Sequence, residues 1–293
     1  MKPPRFSYHD PTTRSEVLTL LATYTDDAKI LAGGQSLVPL LNMRLAQPAH
    51  LVNINHLSDL AYIREVEGGL AIGALTRHRE VERSELVRCH CPLLAEAMPF
   101  VGHVPIRSRG TIGGSLAHAD PSAELPTVLV ALGGHVQVES LDGSREIPAE
   151  AFFVSALQTA LSSKELLTEV WFPAAPLRSG SAFVEVSRRH GDFALVGVAA
   201  QLTLDEHDTI STAHLALMGV AATPIRVQAA EALLLGEKPH EAAFTAAAEQ
   251  AIIDLDPDTD MHASADYRRR VAGVLVLRAL HTAAERAHKG EIG

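Results

Sequence analysis

Apolar residues recur along this chain at two spacings, and the switches between them outline its elements. Val17, Leu18, Leu21 and Tyr24 follow one another at helical intervals, with Thr12 or Thr13 placed to cap that helix. A short apolar run at 29–32 predicts a buried strand that stops at Gly33-Gly34, and Leu37, Leu40, Leu41 and Leu45 then mark one face of a helix. With a further strand at 50–54, residues 1–55 read as a small α/β unit. The segments 61–66 and 70–74 flank Gly68-Gly69 and predict a hairpin, after which Thr76 is placed to cap a short helix. Between Pro92 and Pro121 no period holds, and the stretch reads as irregular. Leu125, Val128, Leu129 and Leu132 form the next helical stripe, and 135–138 pairs with 145–147 across the turn at Asp142-Gly143.

Pro173-Ala174-Ala175-Pro176 resists both helix and central strand, which predicts a boundary between domains at 1–175 and 176–293. The first of these divides into 1–55 and 56–175. Past the boundary, 181–187, 195–204 and 210–218 predict an antiparallel meander, and helices near 224–235, 240–253 and 264–287 close the chain.

Composition narrows the class. With 293 residues, 47% hydrophobic and an ordinary 20 Gly and 16 Pro, the chain is neither collagen-like nor disordered. No apolar run approaches the roughly 20 residues of a membrane span, and 1–6 lack the apolar core of a signal peptide, which predicts a cytoplasmic protein. Thirty-five acidic against 25 basic residues, a net charge of −10, argue against a nucleic-acid partner. Cys89 and Cys91 flank His90 and read as two thiols beside a loop, too few ligands for an iron–sulfur cluster or a structural zinc. Nor do the 15 histidines include a His-Glu-x-x-His pair, so no metal site is expected on this chain.

The candidate chemistry lies in two glycine pairs. Leu31-Ala32-Gly33-Gly34-Gln35-Ser36-Leu37 joins a strand to a helix, where backbone N–H groups converge on an anion and Gln35 and Ser36 add donors. Arg109-Gly110-Thr111-Ile112-Gly113-Gly114-Ser115 repeats the device with two hydroxyls. Either loop alone is equally a tight turn, but two together suit an extended diphosphate ligand. No G-x-G-x-x-G fingerprint, Walker lysine loop or G-x-S-x-G elbow offers a different nucleotide site or a nucleophile. Asp120 and Glu124 follow the second loop, placed either to accept hydrogen bonds from ribose or ribityl hydroxyls or to cap and solvate the next helix.

Four stretches together resemble one family: 32–41, 111–115, 117–121 and 188–194, the last reading Arg188-Arg189-His190-Gly191-Asp192-Phe193-Ala194. They are similar to the FAD-binding medium subunit of molybdenum hydroxylases, the group that contains aerobic carbon monoxide dehydrogenase and xanthine dehydrogenase, over nearly the whole chain. The resemblance implies an α+β chain: a two-part FAD-binding domain of the vanillyl-alcohol-oxidase (PCMH) type, then a C-terminal domain of antiparallel sheet plus helices. It puts Ala32, Gly33, Gly34, Gln35, Ser36 and Leu37, with Gly110, Thr111, Gly113, Gly114 and Ser115, on the FAD diphosphate and its flanking sugars. It also puts an acid, Asp120 or Glu124, near the cofactor hydroxyls, and the loop bearing Arg188 and Asp192 near the flavin ring. Many relatives have Asn at Ser115, and some carry a lysine near the flavin where this chain has Val184-Glu185.

The implied function is electron transfer by noncovalent FAD. A large partner would carry the molybdenum-pterin cofactor and a small partner the [2Fe–2S] clusters, in a dimer of heterotrimers, and no catalytic residue falls on this chain. Two rivals are a self-contained flavin oxidoreductase with a substrate over the ring, and a nucleotide-binding module without redox turnover. Carbon monoxide, purines and other N-heterocycles all remain open as substrates of the complex, as do quinone, oxygen and NAD as acceptors.

Overall fold

The computed structural model describes residues 2–290; Met1 of the N-terminal segment and residues 291–293 of the last domain lie outside the described residues. Among the described residues the architecture is α+β, with three larger sheets and one two-stranded sheet. The first is parallel, in the order β1 (Ser7–His9), β3 (His50–Asn53), β2 (Ala28–Leu31). Its covering helix, Arg14–Tyr24, starts at Thr13, whose hydroxyl accepts the Glu16 amide at 3.3 Å while the Glu16 carboxylate accepts the Thr13 amide at 3.2 Å. That reciprocal cap turns Val17, Leu18 and Leu21 onto the sheet. The helix expected to run to Leu45 stops at Asn42: Arg44 takes a left-handed φ of 60°, which turns Leu45 into solvent.

The second sheet is antiparallel, in the order β4 (Ile63–Val66), β5 (Gly69–Gly73), β10 (Leu166–Pro173), β6 (His135–Ser140), β7 (Gly143–Pro148). A small hairpin, β8 (Phe153–Ser155) and β9 (Gln158–Thr159), precedes β10. The sequence pattern does not announce β10, the middle strand. A register shift between Leu167 and Glu169 interrupts its alternation.

Between β5 and β6 the short helix expected after Thr76 is present, and the stretch 92–121, expected to be irregular, is largely helical as well. His78–Arg83, Glu85–His90, Pro92–Ala97, Val104–Arg107 and Ile112–His118 are each too short to show a stripe, and Pro92 and Pro105 sit in first turns, where proline costs no hydrogen bond. Thr76 does not cap the first of them. Its hydroxyl accepts the Tyr62 amide and donates to the Tyr62 carbonyl, and the N-cap is Arg77. Buried Arg107 organises the segment, donating to the carbonyls of Pro99, Val101 and Gly102 and holding both oxygens of Glu82 at 3.1 Å.

The third sheet, β11 (Ser179–Ser187), β12 (Ala194–Leu204), β13 (Ile210–Met218) and β14 (Ile225–Arg226), is an antiparallel meander. Gln228–Leu234, Glu241–Ala251 and Ala265–Lys289 cover one face. The first of these begins later than expected because Ile225 and Arg226 pair with β13 instead. The other face carries Phe183, Ala199, Ala216 and Met218 into the core of the preceding region. Helix Glu124–Leu132 lies between these two layers, and all nine of its residues are buried. No helix among the described residues is long and apolar enough to cross a membrane.

Candidate functional site

The two glycine loops meet. A β-carbon on Gly33 would lie 2.3 Å from the Arg109 carbonyl oxygen and 2.8 Å from the Gly110 Cα, so the contact exists only because residue 33 has no side chain. Gly34 takes a φ of +72°, which favours glycine for a different reason. Backbone bonds moor the second loop to the exit of β5: the His78 amide donates to Gly110 O at 3.0 Å, Ile112 to Thr76 O at 3.1 Å and Gly113 to Ala74 O at 3.0 Å. Gly113 is a packing glycine, since a β-carbon there would come within 2.6 Å of the Ala74 Cβ. Buried Thr111 caps helix Ile112–His118, its hydroxyl accepting the Gly114 amide at 3.2 Å.

Where the loops meet, they border a cleft of about 690 Å³. Its lining includes Ala32, Gly33, Gly34 and Gln35 of the first loop, Arg109 of the second, Arg77, Asn53 and Asn55, with Leu31, Val38, Pro39 and Tyr8 supplying apolar surface. Its lining contains two arginines and no Asp or Glu. That composition favours an anion with an attached flat or apolar group.

The predicted residues divide between two places. Ser36 and Leu37 follow the cleft wall; the Ser36 hydroxyl makes no cap bond, and the Gln35 amide donates back to Gly33 O at 3.1 Å. Gly110, Thr111 and Gly113 are buried behind the cleft, while Gly114 is exposed and Ser115 half-buried. Asp120, Glu124, Arg188 and Asp192 do not line the cleft. Asp120 accepts the Ser122 amide at 2.9 Å in a local turn, and the helix N-cap is Ala123. Arg188 bonds His262 at 2.7 Å, and the Asp192 amide closes a turn onto Arg189 O at 3.0 Å. That turn packs on the segment just before the second loop, because a β-carbon on Gly191 would lie 2.2 Å from the His103 ring.

Glu124 is buried, not solvated. Burial pushes its carboxyl up to about 7; its own backbone amide opposes the shift and the Asp120 charge adds to it. Glu185 on β11 goes to about 8, through burial and then the charge of Glu124. One Glu185 oxygen is sealed from solvent without a hydrogen-bond partner. His78, beneath Gly110, goes the other way: burial lowers it to about 4, the Thr111 backbone opposes this, and the charges of Arg107 and Arg77 add to the lowering. The sequence reading missed Arg77, Asn53, Asn55 and Tyr8, which follow no spacing rule and reach the cleft from three separate segments.

The family description "FAD binding domain in molybdopterin dehydrogenase" matches residues 4–175, and "CO dehydrogenase flavoprotein C-terminal domain" matches 181–283. The chain belongs to the flavoprotein family of the molybdopterin dehydrogenases. It is 47% identical over 287 residues to the 6-hydroxypseudooxynicotine dehydrogenase complex subunit alpha of Paenarthrobacter nicotinovorans, covering 98% of this chain and 97% of the relative. A solved carbon monoxide dehydrogenase from Hydrogenophaga pseudoflava, lacking the Mo-pyranopterin moiety of the molybdenum cofactor, matches with a TM-score of 0.95 and 40% identity over 98% of this chain and 99% of that one. Quinoline 2-oxidoreductase from Pseudomonas putida 86 matches with a TM-score of 0.92 and 37% identity, again over 98% and 99%. The flavoprotein is thus an oxidoreductase component with an FAD-binding domain. Its cleft fits that cofactor: the lining is free of acid, and Gly33 and Gly34 expose backbone beside two arginines.

Proposed function

We propose that this flavoprotein is the FAD-binding electron-transfer subunit of a heterotrimeric molybdenum hydroxylase. The carrying observation is the acid-free, arginine-walled cleft at the junction of the two glycine loops. Ala32 to Gln35 and Arg109 hold the diphosphate, with Ser36, Leu37, Gly110, Thr111, Gly113, Gly114 and Ser115 shaping the two loops around it. An acid, Asp120 or Glu124, together with Arg188 and Asp192, borders the rest of the cofactor. Bound FAD supplies the redox chemistry, taking electrons from [2Fe–2S] clusters of a small partner and yielding them to an external acceptor. A large partner carries the molybdenum-pterin cofactor and the substrate pocket, two such trimers associate, and the complex works in the cytoplasm. The cleft lining, made of backbone, amides, guanidiniums and apolar groups, binds and orients but offers no general base.

The test is the flavin of the purified chain. FAD binds near stoichiometry and stays in the supernatant after acid precipitation. A quinone or dye reoxidises it after photoreduction, whereas N-heterocycles and carbon monoxide leave the oxidised form unchanged. In the cell the chain co-purifies with two others that contain Mo and Fe. Bleaching by a substrate in a metal-free preparation overturns the proposal in favour of a self-contained oxidoreductase, and failure to bind FAD overturns it altogether.

A further inference from the structure

We propose that Arg77 is a positioning residue for the cofactor diphosphate: it ties the two glycine loops together inside the cleft and presents its remaining N–H groups to the phosphates. This rests on the FAD reading above. Arg77 lies just beyond the hairpin of β4 and β5, half-buried in the cleft wall. Its Nη1 donates to the Arg109 carbonyl at 2.5 Å, the same oxygen that closes on Gly33. Its Nη2 donates to Asn55 Oδ1 at 2.7 Å, and the Asn55 amide donates to Ala32 O at 2.9 Å and to Asn53 Oδ1 at 2.6 Å. Asn53 in turn donates to Asp10 Oδ1 at 2.7 Å. A continuous chain of hydrogen bonds thus runs from the second loop through Arg77 and Asn55 to the first, and on to the residue just after β1.

The electrostatics point the same way. A guanidinium offers five N–H donors in a rigid fork and stays charged, and the loops use only part of that set. Glu80, the acid beside Arg77 in its own helix, accepts the Arg77 backbone amide at 2.8 Å and does not line the cleft. Arg77 and Arg109 therefore face one space with no carboxylate between them. Burial lowers the proton affinity of Arg77 and the charge of Arg109 lowers it further, so two like charges are held together at a cost that a bound dianion offsets. Arg109, exposed on its loop, contributes charge; Arg77, which bonds to both loops' supports, contributes charge and geometry.

The experiment compares Arg77→Met, Arg77→Lys and Asn55→Ala with the unaltered full chain. It reads the Kd of FAD and of ADP across a salt series, and hydrogen exchange of 32–36 and 109–111 without ligand. Arg77→Met is expected to weaken both ligands about 10- to 100-fold, the range for one charge-assisted hydrogen bond, with a shallower salt slope and faster exchange in both loops. Arg77→Lys restores the salt slope but not the slow exchange, because an ammonium cannot fork between Arg109 and Asn55. Asn55→Ala speeds exchange and leaves the salt slope intact; it decides the question if Arg77→Met does not fold. Affinity within threefold and unchanged exchange in the variant that folds overturn the inference. If the unaltered chain binds neither FAD nor ADP, it is the FAD reading that falls.

Discussion

The cleft and the boundary with the third sheet lie at opposite ends of the stretch 109–124, and they are built from opposite chemistry. At the cleft, two arginines face exposed backbone with no acid in the lining. At the boundary, helix Glu124–Leu132 packs on the β11–β13 sheet, and two carboxyls carry the polar character. Glu185 shares its face of β11 with Phe183, which enters the same core as that helix, and it stands opposite Gly197 on β12. The cleft holds its cations charged and open to a ligand, whereas burial at the boundary raises both of its acids above the usual carboxylate range. The two regions should therefore answer differently to substitution and oppositely to pH.

The largest effect is expected at Gly33. A valine there must push the Arg109 carbonyl away and part the loops, and overpacking of ~1–3 kcal/mol at the contact corresponds to about a 10- to 100-fold loss of FAD affinity. Circular dichroism should still report a folded chain. Gly114→Val is the sharpening control: a β-carbon there would lie 2.7 Å from the Thr111 hydroxyl and press on the helix cap rather than on the other loop, so FAD loss should be smaller, by fluorescence titration of both variants. Equal loss would mean that the second loop approaches the phosphate as closely as the first.

Next in size is the acid limb. His78 is held near 4 in the folded chain against an ordinary 6.5, so between these values the unfolded chain binds more protons. Stability is then complete above about 6.5 and falls as pH drops toward 4, by up to ~3 kcal/mol for a shift of this size. Melting curves of the flavin-free chain from pH 7 to 4 read it directly, and His78→Leu should flatten this limb. An unchanged limb in that variant would assign it to other groups.

The smallest is the alkaline limb, which has the opposite sign. Glu124 and Glu185 are raised from 4.5 to about 7 and about 8, so the folded chain holds protons that the unfolded chain releases. Their contribution is complete below 4.5 and is lost as pH rises through 7 to 8. Glu185 is only half-buried, and solvent screens part of its effect. Glu185→Gln should lessen the fall in melting temperature between pH 5 and 8, leaving the part that Glu124 carries. If the variant and the unaltered chain both stay level, the contrast between the regions fails.

Short-range rules explain what was legible beforehand. A cap at Thr12 or Thr13, the Asp142-Gly143 hairpin and the three-stranded meander depend on neighbours a few residues away, and their residues announce them. The glycine pairs announced loops near a ligand in the same way. The helices Glu85–His90, Pro92–Ala97, Val104–Arg107 and Ile112–His118 were hidden because none is long enough to show a period, and β10 because its register shift breaks one.

By itself, then, the amino-acid order determined several turns, the first helix cap, the α+β class and the family to which the flavoprotein belongs. Only the tertiary structure decided that Gly33 serves a loop contact while Gly113 serves packing, and that Glu124 is buried rather than solvated. It alone brought Arg77 to Arg109, 32 residues away, and to Asn55, 22 residues back. The reason is physical: φ angles and caps are set by atoms close along the chain, whereas burial and the pairing of charges depend on which distant element fills the adjoining space.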